Sequence, residues 1–243
     1  MNTPEFRVFG TAQAVASAVA QHIAGAVQAN PAATLGLATG KTFISIYAEL
    51  IALYRQGGLS FAEVESFNLD EYIGLPAGHP ASFRSYMEEH LFSQIDLPAQ
   101  SGHLPGVEGD IEQACRDYEA AIAARGGIDL QLLGIGQNGH IGFNEPGSPF
   151  DSHTRIVDLT PSTIAANTSD FPEGEVPPPQ AVTMGVGTIM QAKEIVLVAI
   201  GANKAEALDK AFRAEPSLDC PASALHNHPH VIVYCDEAAM GGK

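Results

Sequence analysis

Strand-length apolar segments alternate with longer stretches whose apolar residues recur every three or four positions, and this alternation runs nearly end to end. In Thr11 to Gln28, Val15, Val19, Ile23 and Val27 fall four apart and make one helical stripe. Asn30-Pro31 ends it, and Thr34 to Thr39 (TLGLAT) reads as a buried strand. Phe43, Tyr47, Leu50 and Tyr54 form the next stripe, closed by Gly57-Gly58. Val64 to Leu69, Ile128 to Ile135, Glu194 to Ile200 and His230 to Cys235 are further strands. The helices between them are expected to bury Phe83, Met87 and Leu91, then Ala114, Tyr118 and Ile122, then Ala205, Leu208 and Phe212. Such alternation implies an α/β fold: a three-layer, Rossmann-like domain whose mostly parallel sheet is covered by helices on both faces. The sheet is expected to open at Thr34. No internal repeat interrupts residues 1–243, so a single domain is expected, with a lid or plain surface loop around 160–180, where Pro172, Gly174 and Pro177 to Pro179 cluster.

Composition narrows the function classes. Of 243 residues 45% are hydrophobic, enough for a packed core. With 12 Lys+Arg against 28 Asp+Glu, the formal net charge is −16, which argues against holding a nucleic acid backbone. An anionic small molecule would need a local positive pocket within this repelling field. No apolar run approaches the ~18 residues of a membrane span, and Met1 to Gly10 lacks the pattern of a signal peptide. Cys115, Cys220 and Cys235 are odd in number and widely spaced, suggesting neither a disulfide framework nor a zinc site. A cytoplasmic location is the expectation. His226, His228 and His230 alternate without a nearby thiol or carboxylate pair before Asp236, so no metal is expected.

Four polar segments, three of them with glycine, follow four of the strands: Thr39-Gly40-Lys41-Thr42, Asn68 to Glu71, Gly134 to Gly147, and Gly201 to Lys204. In an open parallel sheet, ligands bind in the crevice beyond the strands' carboxyl ends, so these distant segments are expected to converge. Gly40-Lys41-Thr42 is a near miss for a nucleotide-binding P-loop, because the glycine required five positions earlier is Leu35. What survives is a strand, a small turn and a helix N-terminus, a natural phosphate site. In Asp70-Glu71, neighbours on a strand face opposite ways, so one carboxylate is expected in the crevice. The run GIGQNGHIGFNEPG carries Asn138, His140, Asn144 and Glu145 among glycines, and a His near a carboxylate suits proton transfer near neutral pH. Lys204 adds a cation at another helix start.

These residues give the chain its likeness. The stretches LGLATGKT, FNLDEYIGLP, HPASF, GIGQNGHIGFNEPG, SHTRIVDL, VTMGVGTIM, NKAEAL and SALHNH resemble the glucosamine-6-phosphate deaminase (glucosamine-6-phosphate isomerase) family along almost the whole sequence. The resemblance implies conversion of glucosamine 6-phosphate and water to fructose 6-phosphate and ammonia without an organic cofactor. It implies that His140 relays a proton between O1 and O5 on ring opening, with Asn138 and Glu145 orienting it. Asp70 would move the proton between C2 and C1, and Thr39, Gly40, Lys41, Thr42 and Lys204 would hold the phosphate. The related 6-phosphogluconolactonases share the fold but usually lack the DEY and NGHIGFNEPG combination. Alternatives are a deaminase for another amino-sugar phosphate, a 6-phosphogluconolactonase, and a sugar-phosphate sensor, which would be expected to carry a DNA-binding helix-turn-helix.

The chain departs from the family's pattern in two places that matter. Asn138 stands where many members have aspartate, leaving Glu145 as the charged support for His140. Ser169 occupies the position of a phosphate-reaching arginine, while the loop carries Lys41 in place of glycine or serine. Lys41 is therefore expected to replace the arginine. The sequence ends at Lys243, soon after CDEAA, without the longer tail of allosteric members; Arg155 fits the activator pattern but Val157 does not. Hyperbolic kinetics and a monomer or small homo-oligomer are expected.

Overall fold

The computed structural model describes residues 4–241, so positions 1–3 and 242–243 at the ends of the expected domain lie outside the described residues. The central sheet has seven strands, every neighbouring pair parallel. In spatial order they are β1 (Glu5–Phe9), β10 (Val231–Asp236), β9 (Glu194–Ala199), β6 (Leu130–Gly134), β2 (Thr34–Leu37), β3 (Glu65–Asn68) and β5 (Gly102–His103). The inner strands are apolar at nearly every position because helices cover both faces.

The helices follow their stripes. In α1 (Ala12–Ala29) the Thr11 side chain caps the start by accepting from the Ala14 N–H at 3.1 Å, and Val15, Val19, Ile23 and Val27 are buried. The second helix, α2 (Lys41–Arg55), buries Phe43, Ile46, Tyr47 and Leu50. No side chain caps its first turn, which follows Gly40 at φ 116°, a conformation that favours glycine. Beyond it come α3 (Phe83–His90), α4 (Ile111–Ala124), α5 (Pro161–Asn167), α6 (Val186–Ile189) and α7 (Ala205–Phe212). In α4 the inward position falls to Cys115 rather than Ala114, and Phe83 is only half-buried because it belongs to a second cluster.

The sheet does not open at Thr34. Strand β1 pairs with β10, Phe6 opposite Val233 and Val8 opposite Cys235, and forms an edge. Its Glu-Phe-Arg-Val-Phe sequence is half-exposed, so it lacks the continuous apolar signature of the inner strands. A second sheet was not anticipated: β4 (Asp70–Tyr72), β8 (Gln180–Thr183) and β7 (Arg155–Asp158) pair antiparallel, with Asp70 opposite Thr183. The two sheets meet at Leu69, whose N–H donates to the Leu37 carbonyl while its own carbonyl accepts from Met184. This hinge point turns the chain so that Asp70 leaves the carboxyl edge of the main sheet. A separate aromatic cluster, Tyr72, Phe143 and Phe171 with Leu159 and Ala181, packs the second sheet beneath α5.

Candidate active site

A cavity of about 600 Å³ opens at the carboxyl ends of β2, β6 and β9. Thr39, Gly40, Lys41 and Thr42 line it from one side, Asn138 and His140 from another, with Asp70 and Lys204. Of the candidates in the glycine-rich run, Asn138 and His140 line the cavity, while Glu145 stands behind His140 and Asn144 lies outside the lining.

Asp70 and Glu71 diverge as neighbours on a strand must. Glu71 turns away and caps α3: its Oε1 accepts from the N–H groups of Tyr72 and Phe83 and its Oε2 from Arg84, each at 2.9 Å. Asp70 faces the cavity, and among the described residues it has no hydrogen-bond donor. Burial, helped by the Glu71 charge, lifts its carboxyl from 3.8 to about 8. Gly142 lets this carboxylate be approached closely, since at φ 56° a Cβ there would lie 3.0 Å from Thr183 Oγ1 and 3.4 Å from Asp70 Oδ2.

His140 belongs to a chain of hydrogen bonds. Its Nδ1 lies 2.7 Å from Asn138 Oδ1, which also accepts from the His140 backbone N–H at 3.2 Å. Asn138 Nδ2 donates to Glu145 Oε2 at 2.8 Å, and the Thr163 hydroxyl donates to Glu145 Oε1. A carboxylate only accepts, so Asn138 must present its NH2 to Glu145 and its oxygen to the imidazole. An amide oxygen only accepts in turn, so the proton sits on Nδ1 and Nε2 is left as the free base. Burial lowers the His140 pKa, against the opposing pull of Glu145 and with a smaller push from Lys204, which favours the neutral ring. The ring packs on Gly136, where a Cβ would fall 2.2 Å from His140 Cε1.

Asn144, the remaining polar residue of the motif, has a different task. Its Nδ2 donates to the carbonyls of Ile141 and Met184, and its Oδ1 accepts from Arg155 Nη1 at 2.8 Å, pinning the loop to the second sheet. The two expected cations both reach the cavity. Lys204 Nζ donates to the Ile135 carbonyl at 2.7 Å, and burial lowers its pKa. Lys41 is exposed, with Nζ 2.8 Å from Asp170 Oδ1 and 2.9 Å from Ser169 Oγ. Of the alternating histidines, His228 is buried, its Nε2 2.8 Å from the Ala192 carbonyl.

Several lining residues were not singled out from the sequence. Tyr72, Phe83, Phe143 and Phe171 form an aromatic wall, while Thr163, Asn167 and Asp170 reach in from α5 and the turn after it. Asn167 Nδ2 donates to the Tyr72 hydroxyl at 2.9 Å, so α5 is fastened to the wall it covers. The Tyr72 in DEY was a visible signal. Thr163 carried none, because nothing in a short polar helix says that it folds over His140.

The family described as glucosamine-6-phosphate isomerases/6-phosphogluconolactonase matches residues 10–233. A glucosamine-6-phosphate deaminase of Geobacillus sp. (strain WCH70) is 50% identical over 215 residues, 88% of this chain and 86% of that one. One from Rhodopirellula baltica is 47% identical over 240 residues, 98% and 96% of the two chains. The solved structure of a monomeric glucosamine-6-phosphate deaminase superposes with a TM-score of 0.94 at 41% identity, covering 98% of this chain and all of that one. A 6-phosphogluconolactonase from Trypanosoma brucei, 22% identical with a TM-score of 0.76, shares the fold. With matches of this extent, the chain belongs to the glucosamine-6-phosphate isomerase/6-phosphogluconolactonase family.

Proposed function

We propose that this protein is a glucosamine-6-phosphate deaminase, converting glucosamine 6-phosphate and water to fructose 6-phosphate and ammonia. The observation that carries the reading is one cavity holding a buried carboxylate, Asp70, without a hydrogen-bond partner among the described residues, and an imidazole, His140, whose free nitrogen is fixed by its partners. His140 Nε2 takes the proton from the sugar's O1 hydroxyl and returns it to O5 as the C1–O5 bond breaks, leaving an aldehyde at C1. Asp70 in its carboxylate form removes the C2 hydrogen, giving an enolamine with a double bond between C1 and C2, and delivers that proton to C1. The imine now at C2 adds water, and ammonia leaves the resulting carbinolamine to give the ketone. Every proton is moved by these side chains or by solvent, so the scheme needs neither a metal nor an organic cofactor.

The phosphate would sit at the uncapped start of α2, between Thr39, Gly40 and Thr42 and the two lysines. Lys41 takes over from the arginine absent at Ser169: its Nζ lies against the Ser169 hydroxyl, bringing a cation from the loop to the place the arginine would occupy. A lysine neutralises phosphate as a point charge, without the bidentate geometry of arginine. The chain acts as a monomer or small homo-oligomer with hyperbolic kinetics, a reading supported by the monomeric deaminase it resembles and by Arg155, whose guanidinium is engaged by Asn144 and Ser148. We place it in the cytoplasm, where its three free, buried thiols stay reduced, with no nucleic acid or membrane partner.

The test is incubation with glucosamine 6-phosphate, galactosamine 6-phosphate and 6-phosphogluconolactone, following ammonia, ketose phosphate and lactone loss separately. Ammonia and ketose phosphate in equal amounts from the first substrate are expected. No ammonia from either amino sugar would sink the proposal.

A further inference from the structure

Asparagine at position 138 creates a problem that the rest of the relay must solve. An amide is nearly symmetric in shape, so Asn138 can rotate by half a turn and exchange its oxygen and NH2 without disturbing the packing. In the flipped state the NH2 would face His140 Nδ1, which would then have to be the unprotonated nitrogen. The proton would move to Nε2, and the cavity would meet a donor in place of a base. Two contacts oppose this flip: the His140 backbone N–H, which donates to Asn138 Oδ1 at 3.2 Å, and the demand of Glu145 Oε2 for a donor, which acts only while that carboxylate is held in place.

Glu145 is held from the lid. Its Oε1 accepts from the hydroxyl of Thr163, in the first turn of α5. Thr163 is itself buried and tied down: its backbone N–H donates to Thr160 Oγ1 at 3.2 Å, and the Thr160 hydroxyl donates to Thr163 Oγ1 at 3.0 Å. Glu145 Oε1 has no proton to give, so the Thr163 proton is directed at it while the Thr163 oxygen accepts from Thr160. Two lines of donors thus end on one carboxylate, Thr160 to Thr163 to Glu145 from the side of α5 and imidazole to amide to Glu145 from the side of His140. The far end of the same lid segment is fastened separately, through Asn167 to Tyr72 and Asp170 to Lys41.

We infer that Thr163 is a positioning residue that makes the base form of His140 depend on the docked lid. It lines the cavity without a hydrogen bond to the imidazole among the described residues, and it acts through Glu145 and Asn138. When α5 lifts, Glu145 loses a donor and its hold on the Asn138 NH2 weakens, leaving the His140 backbone N–H as the remaining restraint on the amide, so the second tautomer of His140 gains population; when α5 docks, Nε2 is restored as the base. Proton transfer is thereby confined to the closed cavity.

The inference rests on the functional reading above, and the test separates the two. Thr163→Val removes the hydroxyl while keeping the shape of the side chain. Its kcat should fall roughly 10-fold, part of the range a positioned acid–base group supplies, with KM within about twofold of wild type because the phosphate contacts are untouched. Thr163→Ser, which restores the hydroxyl, should recover most of the loss. In nitrogen NMR of the free protein, His140 should report an Nδ1-protonated ring in wild type and Thr163→Ser and a mixture in Thr163→Val. A Thr163→Val protein with unchanged kcat and an unchanged tautomer would overturn the inference, as would equal impairment of the Val and Ser variants. If Thr163→Val does not fold, Thr163→Ala takes its place under the same criteria. Should wild type release no ammonia, the functional reading fails, and the tautomer measurement still decides the role of Thr163.

Discussion

Lys41 Nζ lies 2.8 Å from Asp170 Oδ1, so the loop expected to cradle phosphate is joined to the turn after α5 by an ion pair at the cavity. Both side chains are well exposed, 71% and 47%, and such pairs contribute only about 0–1 kcal/mol. The contact is therefore easily exchanged for a better anion. A phosphate dianion entering beside Lys41 would displace the Asp170 carboxylate, which otherwise competes for the same cation.

Two substitutions separate attraction from competition. Lys41→Ala should raise KM for glucosamine 6-phosphate roughly 10-fold or more, the value of a lost charged hydrogen bond of about 1.5–3 kcal/mol. Asp170→Asn should lower KM by up to about fivefold, because the competitor it removes was worth no more than about 1 kcal/mol. Steady-state kinetics at fixed ionic strength measure both, and an unchanged KM for Lys41→Ala would remove that lysine from the phosphate site.

Asp70 couples activity to pH and to stability with opposite signs. With its folded pKa near 8, the fraction of free enzyme carrying the carboxylate base rises up to that pH, and kcat/KM should climb with it. Stability runs the other way. Between its ordinary value of 3.8 and about 8 the folded state holds a proton that the unfolded chain has released, so unfolding becomes easier as pH rises through this window. Asp70→Asn should lose activity by roughly 10²-fold or more. It should also melt higher than wild type at pH 8, by ~5 °C, and at nearly the same temperature near pH 3.5. Retained turnover in this variant would take the base role away from Asp70.

What could be read from the sequence follows the physics of burial. Inner strands such as Leu130–Gly134 and Glu194–Ala199 are apolar at nearly every position because both of their faces are covered, and they stand out without a partner in view. Glu5–Phe9 is an edge strand with charged residues interleaved, and Asp70–Tyr72 is three residues long; each is a strand only because of what pairs with it. The same holds at the cavity. Asp70, Asn138, His140 and Lys204 were legible because polar residues followed buried strands, and Glu145 because it shared a glycine-rich run with His140. Thr163 and Asn167 depend on α5 folding back across the opening, a tertiary fact that no local pattern carries. Neither does the sequence distinguish Asn144, which fastens the loop, from Asn138, which orients the imidazole.

Glu71 offers a last test, because it serves two purposes from the far side of the same strand. Its carboxylate satisfies two backbone N–H groups at the start of α3 and that of Tyr72 in β4, and its charge is the second cause, after burial, of the raised Asp70 pKa. Glutamine keeps one acceptor oxygen but sets an NH2 against a donor, so Glu71→Gln should cost about 1–3 kcal/mol in stability, read as a fall in the urea midpoint at unchanged slope. Removing the negative charge should also let Asp70 ionise more easily. The rising limb of kcat/KM should then move to lower pH, with Asp70 unaltered and the sugar contacts intact. Burial alone would leave that limb where it was, so a profile identical to wild type would show that the neighbouring charge does not set the pKa of the base.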